Sequence, residues 1–422
     1  MAVTRAVLNG FYKTKYGQKN KPLPSFAIVQ RLLPFQQRAK IGKEYSEPVF
    51  TRRSHGVTFA RTTAGTVYAL ADPRSIASEE AKLSGAEILL REQIAYGAMA
   101  ASEGADGSVS FGSAFDEAVL GIEESHRFYL ESGFLYGRTS IATAQSFTAV
   151  TGTTTTMVVS KISWAPGLWA QAENALVDVY DVIGGTRINT EGAVTVTSLS
   201  DVDNRKVLLT ASTNDSTAIV AGTASSYIIV WRAGESEVAY GIDSILTNTG
   251  TIFNISAATN QVWRANVHSA GSVALTMSTV LAAQTKAVVR GGMGDMVFLM
   301  NPYAWQDLAD DQSALRRYGD SSMDMKNGPE RITFHGTGGK ITFEQHPMVK
   351  CGEAFGLMPS TWLRGGESDL TDKLRDSGSD DFFHEIPNYS GAEMRNFSSQ
   401  FVLCRKPAAQ VKITNIVPRQ LA

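Results

Sequence analysis

Residues Ile332–His346 read ITFHGTGGKITFEQH, and the fold turns on what the glycines in the middle do. Gly336-Thr337-Gly338-Gly339-Lys340 has the small, basic look of a loop that cradles phosphate, as in an α/β nucleotide-binding enzyme. The two Ile-Thr-Phe triplets that flank it look instead like the strands of one hairpin. Spacing decides between them. A Walker-type loop needs a glycine, four residues, Gly-Lys and then a hydroxyl residue opening a helix. With Gly339-Lys340 as the pair, the first glycine falls on Phe334, and the hydroxyl position is Ile341. The following residues alternate as a strand does, so the stretch is read as a Gly-rich hairpin turn.

Upstream, MVFLM (296–300) reads as a short buried strand. Asn301 is placed to cap a new helix and Pro302 to occupy its first position. Residues 272–290 have Met277, Leu281, Gln284 and Val288 in line, an amphipathic helix stopped by Gly291, Gly292 and Gly294. Between them and residue 175 the chemistry is different. No charged residue stands between Arg138 and Lys161, which predicts strands or buried extended chain. ALVDVYDVI, GAVTVTSL, RKVLLTAS and SYIIVWR, within 175–232, are four further strand candidates separated by turn residues. A helical pattern runs from Phe111 through Phe115, Ala118 and Ile122 towards Tyr129. Residues 77–103 predict a long helix capped by Ser78, with Leu83, Ala86, Leu90, Ile94 and Gly97 as its stripe. Residues 57–70 read as a projecting hairpin around Ala64-Gly65, and residues 1–46 as an extended arm with one short helix. The C-terminal SQFVLCRKPAAQVKI reads as a last strand.

The chain has 422 residues, is 43% hydrophobic and only 19% charged, below the roughly 25% usual for soluble domains. Such a chain fits one that buries much of itself against neighbours. No apolar run is long enough to span a membrane, and the N-terminal residues lack the apolar core of a signal peptide. Cys351 and Cys404 are too few for a disulfide framework and are expected as buried thiols. The net charge of −2 conceals an asymmetry: residues 1–53 hold eleven Lys and Arg against two acids, while 366–385 hold seven acids against two bases. Contact with a polyanion, or with an acidic patch on another copy, is the functional reading of such blocks; two solvated tails is the plain one.

Catalytic patterns are absent. There is no G-x-S-x-G elbow and no H-E-x-x-H pair among the six histidines. His335 and His346, near opposite ends of the hairpin, are placed to approach across strands, with a structural role preferred over a metal. Asp178 with Asp181, and Asp201 with Asp203, are expected to cap turns, and Asp310-Asp311 to be exposed charge. The reading is that of a non-enzyme with no cofactor and no metal.

The order of elements then carries a resemblance, together with AYGIDSILTNTGTIFNI (239–255), VWRANV (262–267), MVFLMNPYAWQDLA (296–309) and FVLCRKPAAQVKITNI (401–416). The chain resembles the major capsid protein of tailed bacteriophages, the Hong Kong 97 fold, over about two thirds of its length. The resemblance implies an α+β chain divided into an N-terminal arm (1–46), an E-loop (47–76) and a peripheral domain with a spine helix (77–138). A β-rich insertion (139–240), an axial domain (241–385) and a return to the peripheral domain (386–422) complete it. It implies inner-surface contacts for Lys13, Lys15, Lys19 and Lys21, and inter-subunit ion pairs for Arg52, Arg53 and Arg61. The loop bearing Glu367, Asp369, Asp372, Asp376, Asp380 and Asp381 would approach the five-fold and six-fold axes. The implied partners are further copies, as hexamers and pentamers, with scaffolding, portal and cement proteins and packaged double-stranded DNA, in a virion assembled in the host cytoplasm. Some members cross-link an E-loop lysine to a neighbour; residues 47–76 contain no lysine, so covalent chain-mail is not expected. An encapsulin-like compartment and a phage tail or baseplate component are the alternatives.

Overall fold

The computed structural model describes residues 27–37, 45–60, 67–83, 85–97, 114–222, 227–311, 332–366, 372–373 and 383–421. Two sheets and a barrel organise them. The strand Met296–Met300 shows how they are arranged, because it is buried at all five positions. Met296, Phe298 and Met300 face a core shared with the helices Met277–Val289 and Pro302–Asp310, and Val297 and Leu299 face the other, larger core. A strand covered on both faces has no need of polar alternation, and its sequence has none. The sheet runs in the order Asn266–Val273, Val411–Ile416, Ala354–Leu357, Met296–Met300, Lys340–Gln345, Ile332–His335. Asn301 caps the second helix by accepting from the Tyr303 amide at 3.1 Å, with Pro302 at its start, as the residue types predict.

The second sheet is built on the fourteen-residue strand Gly391–Cys404. Trp362–Gly366, Asp372–Lys373 and Phe383–Glu385 pair with it, as does Ala86–Ala95 in register from Gly391↔Ala95 to Gln400↔Ala86. The helix Ala114–Tyr136 packs on this sheet. Of the helix expected over 77–103, whose residues 98–103 lie outside the described residues, the part up to Ala95 is therefore replaced by two strands, Ala77–Leu83 and Ala86–Ala95. Ala, Glu and Leu favour a helix locally, but ten residues of ladder with Gly391–Gln400 outweigh a propensity of a few tenths of a kcal/mol per residue. Two further differences follow from the pairing. The C-terminal residues form two strands in different sheets, and Val411–Ile416 lies parallel to Asn266–Val273. Trp362–Gly366 and Phe383–Glu385, which bracket the acidic loop, belong to the sheet of the long helix, whereas a boundary at 385 groups them with 241–358.

The stretch without charges and the four strand candidates after it form a closed six-stranded antiparallel barrel. Its strands are Ala142–Ala149, Thr154–Val159, Leu176–Tyr180, Val194–Asp201, Lys206–Thr210 and Ile228–Trp231. Thr154–Val159 and Lys206–Thr210 alternate strictly in burial, with Met157 opposite Val207 and Thr155 opposite Leu209 inside. A helix invisible in the alternation, Thr213–Ala221, is capped by Ser212 and packs on the first two strands. The link 161–172 docks the barrel on the α/β sheet: Cys351 donates to the Trp164 carbonyl and Gly352 to the Ile162 carbonyl, both at 2.8 Å. Trp164, Leu168 and Trp169 are fully buried there.

His126, on the long helix, is fully buried with Nε2 at 2.7 Å from Ser398 Oγ. Burial lowers its pKa to about 4. The unfolded chain then binds a proton near pH 6.5 that the folded chain refuses, so stability falls as pH drops from about 6.5 towards 4, by up to about 2–3 kcal/mol. Thermal melts at pH 4.5 and pH 7 are expected to show this loss, and His126→Phe to flatten it.

Candidate assembly surfaces

The glycine turn is the first place to look for a ligand, and three of its amides are already taken. Gly336 N donates to Gly339 O at 2.9 Å, Thr337 N to Gln284 Oε1 at 3.2 Å, and Lys340 N to Asp295 Oδ1 at 3.1 Å. Gly338 O accepts from Gly294 N at 2.9 Å. The turn packs flat against the helix Met277–Val289 and the loop after it, which is what the glycines permit. A Cβ on Gly339, whose φ is +153°, would stand 2.6 Å from the Gly294 carbonyl oxygen, and one on Gly336 1.9 Å from Gln284 Oε1. Three of the turn's amides are spent inside the chain, and the turn opens no helix whose N-terminus could hold a phosphate. Gly339→Ala is expected to lower stability by roughly 1–3 kcal/mol, measured as a drop in Tm, with no response of Tm to added nucleotide in either form.

The second feature is a segment that leaves the fold. Tyr45–Arg52 and Ala77–Leu83 form a two-stranded ribbon. The hairpin pairing thus lies outside 57–70, at the base, and residues 53–60 and 67–76 run on as extended legs without ladder bonds. The base is fixed by Tyr45, Val49, Ala81 and Leu83 in the core, by Tyr45 against Phe401 (4.6 Å between ring centres), and by Arg405 donating to Glu47 at 2.7 Å. Glu79 accepts from Asn260 Nδ2 at 3.1 Å. Beyond the base, among the described residues, only His55 N to Arg74 O (3.1 Å), Ser54 Oγ to Arg74 O (2.8 Å) and Ala71 N to Thr58 Oγ1 (2.6 Å) join the legs. Phe59 is 95% exposed, Val67 97% and Leu70 80%. A strip of large apolar side chains on a segment with no core of its own marks a contact surface.

The named charges fall as follows. Arg52 and Arg53 are exposed at the start of the extended leg and make no ion pair with a described residue. Arg61, Lys13, Lys15, Lys19, Lys21, Glu367, Asp369, Asp376, Asp380 and Asp381 lie outside the described residues, and Asp372 is described only as backbone in a short strand. His335 and His346 are not brought together: His335 is exposed at the turn, and His346 is buried beside Glu131. Asp181 and Asp201 cap turns as expected, accepting from Thr186 N at 2.7 Å and Asn204 N at 3.0 Å. Asp178 instead is buried, accepting from Asn189 Nδ2 at 2.9 Å and Ala233 N at 3.0 Å. Asp311 is no idle charge either, since it accepts from Met277 N at 3.1 Å at the start of the neighbouring helix. Burial pushes the Cys351 and Cys404 thiols up to about 12, so neither is a nucleophile at neutral pH.

Two buried polar clusters, both missed in the sequence, hold the frame from which the ribbon projects. Glu131 on the long helix accepts from the amides of Val29 and Gln30, opening the short helix Ile28–Leu32, and from His346 Nε2 at 2.9 Å. Met348 N donates to His346 Nδ1 at 3.2 Å, so the ring proton sits on Nε2. This ties the N-terminal segment to the body. Lys412 meets Asp243 and Glu353, the latter at 3.1 Å, where the two sheets join. Burial alone would lower the Lys412 pKa and raise that of Asp243. Glu353 and Asp243 hold Lys412 above its usual value, and Lys412 and Lys350 hold Asp243 below the usual carboxylate range.

A sheet with a long helix, an α/β sheet and a projecting apolar ribbon define an α+β chain whose exposed apolar reach its own core does not use. By sequence the chain matches no family model and no curated protein. By fold it is similar to a chain of the capsid asymmetric unit of Cyanophage A-1(L), with a TM-score of 0.51 and 11% identity over 98% of this chain and 100% of that one. It is also similar to the capsid of Myoviridae phage XM1 (TM-score 0.46, 8% identity, 99% of each chain). A third is the holo-SrpI encapsulin of Synechococcus elongatus PCC 7942 (TM-score 0.44, 11% identity, 100% of this chain and 99% of that one). The chain has the fold of tailed-phage capsid proteins. Among the described residues no helix is long and apolar enough to cross a membrane, and no group of His, Cys, Asp or Glu is placed to hold a metal ion.

Proposed function

We propose that this chain is a major capsid protein whose copies assemble into the icosahedral shell around the double-stranded DNA of a tailed bacteriophage. The observation that carries the reading is the fold shared end to end with a cyanophage capsid chain. The exposed legs of the ribbon support it, because Phe59, Val67 and Leu70 need a neighbour to be covered. In this reading residues 47–76 are the E-loop lying over an adjacent subunit, with Arg52, Arg53 and Arg61 in ion pairs across the contact. Residues 1–46 are the arm under the shell, whose Lys13, Lys15, Lys19 and Lys21 meet packaged DNA through salt-sensitive, sequence-independent contacts. The sheet with the long helix is the peripheral domain, the α/β sheet the axial domain, and the barrel an inserted unit. Many modest contacts repeated under closed symmetry stabilise such a shell without any ligand pocket. Scaffolding, portal and cement proteins are the further partners, and the host cytoplasm is the place of assembly.

Negative-stain electron microscopy of the expressed chain, alone and with a scaffold, is the test. Closed shells are expected. Tubes or rings would favour a tail component, a persistent monomer would refute the reading, and shells that carry protein without nuclease-protected DNA in the native host would mark a compartment of encapsulin type.

A further inference from the structure

A hollow lined by charge lies between the helix Met277–Val289 and the edge strand Asn266–Val273. It encloses about 410 Å³ and is lined by Asn248, Arg264, Val267, Lys286, Val289 and Arg290, over a floor that includes Asn266. Its three cations come from two elements and none is paired with a carboxylate of a described residue. Arg290 Nη1 donates to the Arg264 carbonyl at 3.1 Å and Lys286 Nζ to the Val267 carbonyl at 3.5 Å, which holds both heads over the hollow rather than away from it. Below them Asn266 Nδ2 is spent on the carbonyls of Ala408 (2.8 Å) and Gln410 (2.9 Å), so the floor is rigid. Lys406 adds a fourth positive charge beside the helix end, donating to the Gly291 carbonyl. Lys286 and Arg290 at a helix C-terminus complement its dipole, but Arg264 lies outside the helix and has no such reason to be there.

We propose that this groove receives the acidic segment 366–385 of a second copy of the chain. That segment carries seven acids against two bases, in a chain whose net charge is only −2. It is held to the sheet of the long helix at Gly366, Asp372–Lys373 and Phe383–Glu385, whereas the groove sits on the edge of the other sheet. Each copy therefore presents one groove and one oppositely charged segment on different sheets, which is the arrangement of a heterologous, ring-closing contact. The hollow has the volume of a few side chains and suits carboxylates on an extended peptide. A DNA duplex, whose major groove alone is about 12 Å wide, does not enter it. The inference rests on the self-assembly proposed above and names one contact of that assembly.

A fluorescent peptide of residues 366–385, titrated against the purified full chain by anisotropy, tests it. Binding is expected, weakened at least about tenfold by Lys286→Glu with Arg290→Glu, and lost as salt shortens the Debye length to about 3 Å. A peptide with its acids changed to Asn and Gln is expected not to bind. Melting curves check that the reversed variant folds, and Lys286→Gln with Arg290→Gln replaces it if its Tm falls. Equal binding to the groove variants, no binding at all, or groove-dependent binding of a DNA duplex in place of the peptide would overturn the proposal. Shells without groove-dependent peptide binding refute this contact and leave the assembly reading intact. Peptide binding without shells does the reverse.

Discussion

Replacing residues 56–73 with an Asn-Gly pair is expected to give a folded chain that forms no shells. His55 and Arg74 already face each other across the ribbon, His55 N donating to Arg74 O at 3.1 Å, so a two-residue turn closes the legs without strain. Among the described residues of this stretch none belongs to either core, and Phe59, Val67 and Leu70 are exposed. Stability should therefore change by no more than about 0.5 kcal/mol, the range of ordinary surface substitutions. Assembly is a different matter. If Phe59, Val67 and Leu70 are covered by a neighbour, each copy loses that contact, and the loss is multiplied around every ring. Thermal melting and electron microscopy on one sample separate the two effects. Shells as abundant as those of the intact chain would show that the projection has another use.

Lys412→Met is expected to cost about 3–5 kcal/mol, the range found when one partner is removed from a buried ionic cluster. The side chains of Lys412, Asp243 and Glu353 are 14%, 9% and 17% exposed, and with the lysine gone two carboxylates face each other out of water. The sign of the pH dependence distinguishes this from simple loss of packing. In the intact chain Asp243 has a depressed pKa, so its contribution is present above the ordinary carboxylate value and lost only as pH falls through the lower, folded one. Lys412, raised, stabilises below its ordinary value and ceases to do so only as strongly alkaline pH passes its folded one. In the variant only Lys350 is left as a charge opposing burial at Asp243, so its pKa rises from the depressed value. The deficit in Tm should therefore be largest near pH 7 and shrink towards pH 4. A deficit that does not vary with pH would mean that the cluster contributes packing alone.

Much of this fold was legible where local chemistry and tertiary role agree. The barrel strands announce themselves by β-branched residues, alternation and turn residues between them, and Asn301-Pro302 marks a helix start wherever it sits. The hairpin at 332–345 was legible for the same reason, although the glycines turned out to serve close packing against Gln284 and Gly294, which no local pattern encodes. Residues 77–95 were misread because helix formers there are drafted into two ladders, 77–83 with 45–52 and 86–95 with residues three hundred positions away. The buried charges were invisible for a related reason: Glu131 and His346, or Lys412 and Asp243, look like surface residues until topology brings them together. Of the candidate surfaces, the projection was legible as a segment without a core face. The basic groove was not, since Arg264 and Arg290 meet only through a strand edge and a helix end.

The most direct measurement is a cryo-electron microscopy reconstruction of particles formed by the intact chain. A closed icosahedral shell is predicted, with residues 53–76 of each copy lying across its neighbour and Phe59, Val67 and Leu70 covered there. A reconstruction in which these side chains remain in solvent, or particles that are tubes, rings or isolated subunits, would contradict it.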